Sequence, residues 1–382
     1  MLEIYQNSLP LNVRIDKTVN SALDEDRLVG AVVMVSLGGR RVYQRAAGMM
    51  DRETAEPMRL DTIFRLASVT KPIVVTTALS LVQQGVIGLD DQVTQWLPDF
   101  QPRVGGHDRA VIRLRDLMNH TSGLGYRFQD KDDGPYTALD VSDGMDQPGL
   151  SLSENLERLA KAPLYFLPGT RWRYSLGIDV LGAVLTAATG KGLPELVQDH
   201  VTGPLNMRDT DFRVVDEARL AKAYANMPGG AEPMAATMEV PLYDGKVRFC
   251  PDRYRNTASY PSGGAGMNGT AHDVMTLLDV LRHGGGEQLQ PQMAELMLAA
   301  HVGAEAQTQG PGWGFGFGGA VLLDPALAAS PQSAGTVQWG GSYGHYWFID
   351  RARELTVVAL TNTAFEGMNG RFTRDLRDAI YG

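Results

Sequence analysis

Only one cysteine, Cys250, occurs in the 382 residues. A single thiol can close no intramolecular disulfide and supplies no thiolate zinc cage. Positive charge is also scarce: 35 Lys and Arg stand against 44 Asp and Glu, a net charge of −9, and no basic run occurs. That balance argues against a nucleic-acid footprint and against attraction to an anionic membrane surface. No apolar run approaches the roughly 18 residues of a membrane span. The opening Met1-Leu2-Glu3-Ile4-Tyr5-Gln6-Asn7 lacks the basic segment and apolar core of a secretory signal, so a cytoplasmic protein is expected. No His-Glu-x-x-His motif is present, which leaves metal-assisted hydrolysis without support, and no metal or cofactor is expected.

What is present is an ordinary globular composition, 43% apolar and 21% charged, long enough for two lobes around a substantial core. Leu11, Val13, Ile15, Val19, Leu23 and Leu28 fall at loosely helical spacing. Two β-rich runs, 31–37 and 41–47, flank Gly38-Gly39 and predict a hairpin. Residues 68–84 read as a helix ended by Gly85. From about 85 to 215 the pattern is mostly helical, with a capping box Ser151-Leu152-Ser153-Glu154 and a helix over 176–189 stopped by Gly190. Six aspartates between Gln129 and Asp146 read as a solvated loop; their spacing does not fit a calcium loop. A long irregular stretch is expected over 216–262. Helices follow near 271–283 and 290–300, then strands over 314–323, 336–339, 346–349 and 355–361, and a last helix over 372–381. Strands at both ends around a helical middle predict one antiparallel sheet with an inserted helical lobe, divided as 1–65 plus 260–382 and 66–259.

Three stretches carry chemistry. In Ser68-Val69-Thr70-Lys71 the lysine lies one helical turn after the serine on the same face, where its amine can reach the hydroxyl. A serine needs an adjacent base to act as a nucleophile, and a lysine kept dry by an apolar run can supply one. The same spacing also occurs at an ordinary buried helix start, so context must decide. Tyr174, after the turn Pro168-Gly169, stands at the mouth of a helix as a candidate proton carrier or a packed ring. Gly340-Gly341-Ser342-Tyr343-Gly344 matches the G-x-S-x-G elbow and makes Ser342 the rival nucleophile. The residues after it read as a strand, whereas that elbow requires a helix. Of the histidines in motif-like stretches, His120 reads as a structural hydrogen-bonding group and His345 as a candidate to line the site.

Taken together, in order and over nearly the whole chain, these stretches resemble the family VIII carboxylesterases, relatives of class C β-lactamases and penicillin-binding D,D-peptidases. Ser68-Val69-Thr70-Lys71 matches S-x-x-K, Tyr174-Ser175-Leu176 stands where class C enzymes carry Y-x-N, and Trp339-Gly340-Gly341 stands where β-lactamases carry K-T-G. Asn119-His120-Thr121-Ser122-Gly123-Leu124 and Pro204-Leu205-Asn206-Met207-Arg208-Asp209-Thr210 resemble further landmarks. The resemblance implies an α+β fold of the serine β-lactamase and D,D-peptidase type, with the site between sheet and helical lobe. It implies Ser68 as nucleophile, Lys71 and Tyr174 as proton handlers, and backbone N–H groups of Ser68 and Ser342 as oxyanion donors. Gly340 and Gly341 would let the strand approach a substrate closely. Candidate pocket residues are Tyr126, Trp172, Leu176, Trp313, Phe315, Trp339 and Tyr343, besides His345; core packing explains their character equally well. Leu176 and Trp339 replace an asparagine and a lysine that would meet a β-lactam, so the resemblance implies hydrolysis of small esters. The alternatives are acyl transfer, amide or β-lactam cleavage at the same serine, or a sensor that stops at the acyl-enzyme. Oligomeric state is not encoded in any motif.

Overall fold

The computed structural model describes residues 9–105, 108–242 and 245–382. An eight-stranded antiparallel sheet forms its centre, in the order Trp313–Phe315, Ala320–Leu322, Val337–Gly341, His345–Asp350, Leu355–Thr361, Gly30–Leu37, Arg40–Asp51, Glu56–Pro57. The first long strand therefore lies between its hairpin partner and a strand from the other end of the chain, with Ala31 opposite Thr361 and Leu37 opposite Leu355.

Gly30–Leu37 is apolar at nearly every position because both faces of the sheet are covered. Ala31, Val33 and Val35 meet Ile15 and Val19 of the Leu11–Asp24 helix and Phe372, Leu376 and Ile380 of the Arg371–Tyr381 helix. Val32 and Met34 point the other way, into a larger core shared with the helices Thr70–Gln83, Gly177–Thr189 and Ala271–Arg282. Alternation of side chains across a strand assigns the two sets. No single helix among the described residues is long and apolar enough to cross a membrane.

Several expected elements are altered. The run 314–323 is a hairpin rather than one strand, because Gly316-Phe317-Gly318-Gly319 turns the chain, with Gly318 at φ +93°. The stretch 216–262 contains two hairpins, Tyr224–Met227 with Gly230–Pro233 and Met238–Leu242 with Gly245–Phe249. The acidic stretch is only partly solvated: Asp130, Asp143 and Asp146 are buried. Asp143 accepts the N–H groups of Arg127 and Phe128 at 2.8 and 3.1 Å, and Asp146 pairs with the Arg127 guanidinium at 2.8 Å. Buried carboxylates persist where such donors replace water.

Candidate active site

Ser68 sits in a short 3₁₀ turn, Ala67–Val69, that runs directly into the Thr70–Gln83 helix. Ala67 has φ +45°, a left-handed conformation that costs a non-glycine residue about 1–2 kcal/mol and aims the next side chain off the regular helical path. Pro72 falls in the first turn of the helix, where no intrahelical N–H is needed. One turn on, Lys71 is fully buried, and its Nζ donates to Ser68 Oγ at 3.1 Å and to the Gly264 carbonyl at 2.7 Å. Nζ also lies 4.7 Å from the ring centre of Tyr174 and 5.4 Å from that of Tyr126. Aromatic faces at this range attract positive charge.

Tyr174 arrives from a segment woven into the 120–125 stretch. Arg173 N–H donates to the His120 carbonyl at 3.0 Å, and Leu176 N–H to that of Gly125 at 3.2 Å. His120 Nδ1 lies 3.1 Å from Ser175 Oγ, and its ring packs against Tyr174 with centres 4.7 Å apart. Burial pushes the pKa of His120 well below its ordinary value, and the nearby Lys71 charge lowers it further, so the ring serves as a neutral wedge. Tyr174 Oη stands 2.6 Å from Ser68 Oγ, and the Trp339 indole N–H donates to it at 3.3 Å. One serine oxygen thus has an amine on one side and a phenol on the other.

Gly340 and Gly341 end the strand Val337–Gly341, and the turn from Ser342 leads into His345–Asp350, so the G-x-S-x-G stretch is a β-hairpin with no helix after it. A Cβ on Gly341 would stand 2.5 Å from the Leu66 carbonyl oxygen, and one on Gly340 would stand 2.4 Å from that of His345. Only glycine lets this strand lie so close to the turn before Ser68. The Ser342 hydroxyl is turned to Met145 Sδ, 3.1 Å away.

A cavity of about 280 Å³ opens over Ser68 and Tyr174, bordered by Trp339, Gly340 and Ser342 on the strand side. Phe128, Met145, Leu242 and Val247 make an apolar wall, and Gln309, Gln338 and Asn369 add amides. Among the described residues lining it there is no Lys, Arg or His, and Asp143 is the one carboxyl. Burial, and secondarily Asp146, raise the Asp143 pKa to about 7. Tyr126 and Trp172 also line the cavity.

The remaining pocket candidates lie elsewhere. Leu176 is fully buried in the helical core, and Trp313 and Phe315 form a cluster behind Trp172 and Trp339. Tyr343 packs on Phe249, ring centres 4.9 Å apart. His345 faces the opposite side of the hairpin, where its Nε2–H donates to the Arg65 carbonyl at 2.7 Å. Neighbouring side chains along the strand point to opposite faces, and of His345 and Tyr346 only Tyr346 borders the cavity. Phe128, Asp143, Met145, Leu242, Val247 and Asn369 were not singled out from sequence. The dipeptide Asp244-Gly245 between alternating apolar residues was the signal for the hairpin that carries two of them. Among the described residues no group of three or more His, Cys, Asp or Glu could hold a metal ion.

The Beta-lactamase family model matches residues 15–381. The chain belongs to the β-lactamase family. Within that family it is 49% identical over 376 residues to "Esterase EstB" of Burkholderia gladioli, covering 97% of this chain and 95% of that protein. Among solved structures it is similar to "EstCE1, a hydrolase with promiscuous acyltransferase activity", at 47% identity and TM-score 0.95, covering 97% and 98% of the two chains. Simvastatin synthase (LovD) of Aspergillus terreus shares the β-lactamase-family fold at 24% identity and TM-score 0.76, covering 98% of each chain.

Proposed function

We propose that the chain is a serine esterase that hydrolyses short-chain carboxylic esters through an acyl-enzyme on Ser68. The observation that carries this reading is the placement of Ser68 Oγ, 3.1 Å from Lys71 Nζ and 2.6 Å from Tyr174 Oη, at the floor of an apolar cavity. Ser68 Oγ attacks the ester carbonyl as its proton passes to whichever of the two neighbours is unprotonated, the Lys71 amine or the Tyr174 phenolate. The oxyanion is assigned to the backbone N–H groups of Ser68 and Ser342, as the family resemblance implies; donors of this kind act by being oriented before charge develops. Collapse expels the alcohol, which takes the proton back from the same pair. Water then attacks the acyl-enzyme by the same route in reverse.

Among the described residues the cavity wall carries no Lys, Arg or His to pair with a substrate carboxylate, and with Trp339 at the strand position it suits a neutral ester. Acyl transfer to an alcohol is the second reading, favoured by the 47% identity to EstCE1, a hydrolase with promiscuous acyltransferase activity. It uses the same acyl-enzyme and differs only in the acceptor. The test is a fluorophosphonate adduct located by mass spectrometry, together with p-nitrophenyl ester hydrolysis in the Ser68→Ala and Ser342→Ala proteins. The adduct is expected on Ser68, with hydrolysis lost in Ser68→Ala and largely kept in Ser342→Ala. An adduct on Ser342, or an active Ser68→Ala protein, refutes the assignment.

A further inference from the structure

The steps above leave one buried carboxylate unused. Asp179 lies in the first turn of the Gly177–Thr189 helix and is 2% exposed. Ser262 Oγ donates to its Oδ1 at 2.6 Å and itself accepts the Ala265 N–H at 3.0 Å. The Gly266 N–H donates to the Ser262 carbonyl at 2.8 Å, closing a tight turn. Asp179 is therefore fastened to the 262–266 turn. At its centre is Gly264, whose carbonyl holds Lys71 Nζ at 2.7 Å.

Oδ2 of Asp179 lies against that glycine: a Cβ on Gly264 would stand 2.4 Å from it and 3.2 Å from the Tyr126 hydroxyl. Among the described residues Oδ2 makes no hydrogen bond of ordinary geometry. A carboxylate oxygen left open in a dry interior is costly unless a nearby charge favours it. Burial pushes the Asp179 carboxyl up, while the Ser262 hydroxyl, the Lys71 ammonium, the Gly264 N–H and Arg253 act in the other direction. The other titratable groups facing it are Tyr126 and Tyr260.

We propose that Asp179 is a positioning residue for Lys71. Through Ser262 and the 262–266 turn it fixes the carbonyl that holds Lys71 Nζ, and its negative charge lies against the glycine that carries that carbonyl. The inference rests on the reading of Ser68 as nucleophile with the Lys71–Tyr174 pair as its proton acceptor. A nearby anion favours the protonated form of any neighbouring group, so removing it acts with one sign whichever residue is the resting base.

The experiment compares wild type, Asp179→Asn and Ser262→Ala by pH profiles of kcat and kcat/KM for p-nitrophenyl butyrate, with urea unfolding measured alongside. In Asp179→Asn, kcat is expected to fall about 10–100-fold with little change in KM. The pH limbs belonging to the pair should move to lower pH. Ser262→Ala keeps the charge and cuts the tether, so kcat should fall with the limbs near wild-type positions. Unmoved limbs in a folded Asp179→Asn protein, even with a lower unfolding midpoint, overturn the electrostatic role and leave Asp179 as packing. Full kcat in Ser262→Ala overturns the tether, and this variant decides alone if Asp179→Asn does not fold. Mapping the phosphonate adduct in wild type tests the nucleophile separately: an adduct away from Ser68 removes the underlying reading whatever the variants do.

Discussion

Replacing His345 by glutamine is expected to change how stability responds to acid. Nε2–H of His345 donates to the Arg65 carbonyl, and among the described residues Nδ1 is buried with no partner. Protonation would place a second N–H and a full charge in that dry site, so burial depresses the pKa from 6.5 to about 4. The unfolded chain then binds more protons than the folded one between those values. Stability from this group is present above pH 6.5 and is lost as pH falls towards 4. Integrated between pH 7 and pH 5, the loss is about 2 kcal/mol. Asp143 acts in the opposite sense, because its carboxyl is raised from 3.8 to about 7 and takes up a proton in the folded state as pH falls. Over the same interval it contributes about 2 kcal/mol of stabilisation. The two offset each other in wild type and separate in the variant. Glutamine keeps an amide donor for Arg65 and cannot titrate. Urea unfolding at pH 7 and pH 5 should show His345→Gln gaining about 2 kcal/mol relative to wild type on acidification, whatever its absolute stability. Parallel pH curves for the two proteins would refute the argument.

Lys71→Ala and Tyr174→Phe are each expected to lower kcat by orders of magnitude, with the double variant little worse, because groups acting as one proton-handling unit are strongly non-additive; multiplicative losses would assign them separate roles. Leu242→Ala should shift preference towards longer acyl chains by widening the apolar wall. The change is worth about 1–3 kcal/mol per methylene accommodated and is read from kcat/KM across p-nitrophenyl acetate to decanoate. For p-nitrophenyl butyrate against a chromogenic cephalosporin, kcat/KM should favour the ester. A tenfold advantage for the cephalosporin would make β-lactam cleavage the better description.

The elements most readable in the sequence were those with strong local punctuation. Gly85 and Gly190, both in left-handed geometry, end their helices, and Ser151 Oγ accepts the Glu154 N–H at 3.2 Å where the capping pattern stood. The one-turn spacing of Ser68 and Lys71 was legible in the sequence, although Ser68 lies in a 3₁₀ turn just ahead of the helix, whereas the approach of Tyr174 depends on hydrogen bonds to residues 120–125 that no periodicity reveals. The cavity wall was hidden for a related reason. Phe128, Met145 and Val247 meet only because a Cβ-free Gly245 lets its hairpin lie on the Phe128 carbonyl, 2.1 Å from where a Cβ would be. Burial of Asp143 and Asp146 was equally out of reach, since composition marks acidic residues as solvated and only the fold supplies Arg127 and two N–H groups.

The sheet order has a consequence for how the protein is made. Gly30–Leu37 can pair at once with Arg40–Asp51, but its other edge belongs to Leu355–Thr361, some 300 residues later. At about 5–20 residues per second, a ribosome takes roughly 15–60 s to deliver that strand. Throughout that interval the nascent hairpin presents an unpaired, apolar edge, the kind of surface that recruits stray strands. Closing the sheet is therefore a late, long-range event, and this topology makes overexpression a race between chain completion and aggregation, one that slower synthesis at lower temperature and chaperones that shield exposed strands should tilt towards soluble enzyme.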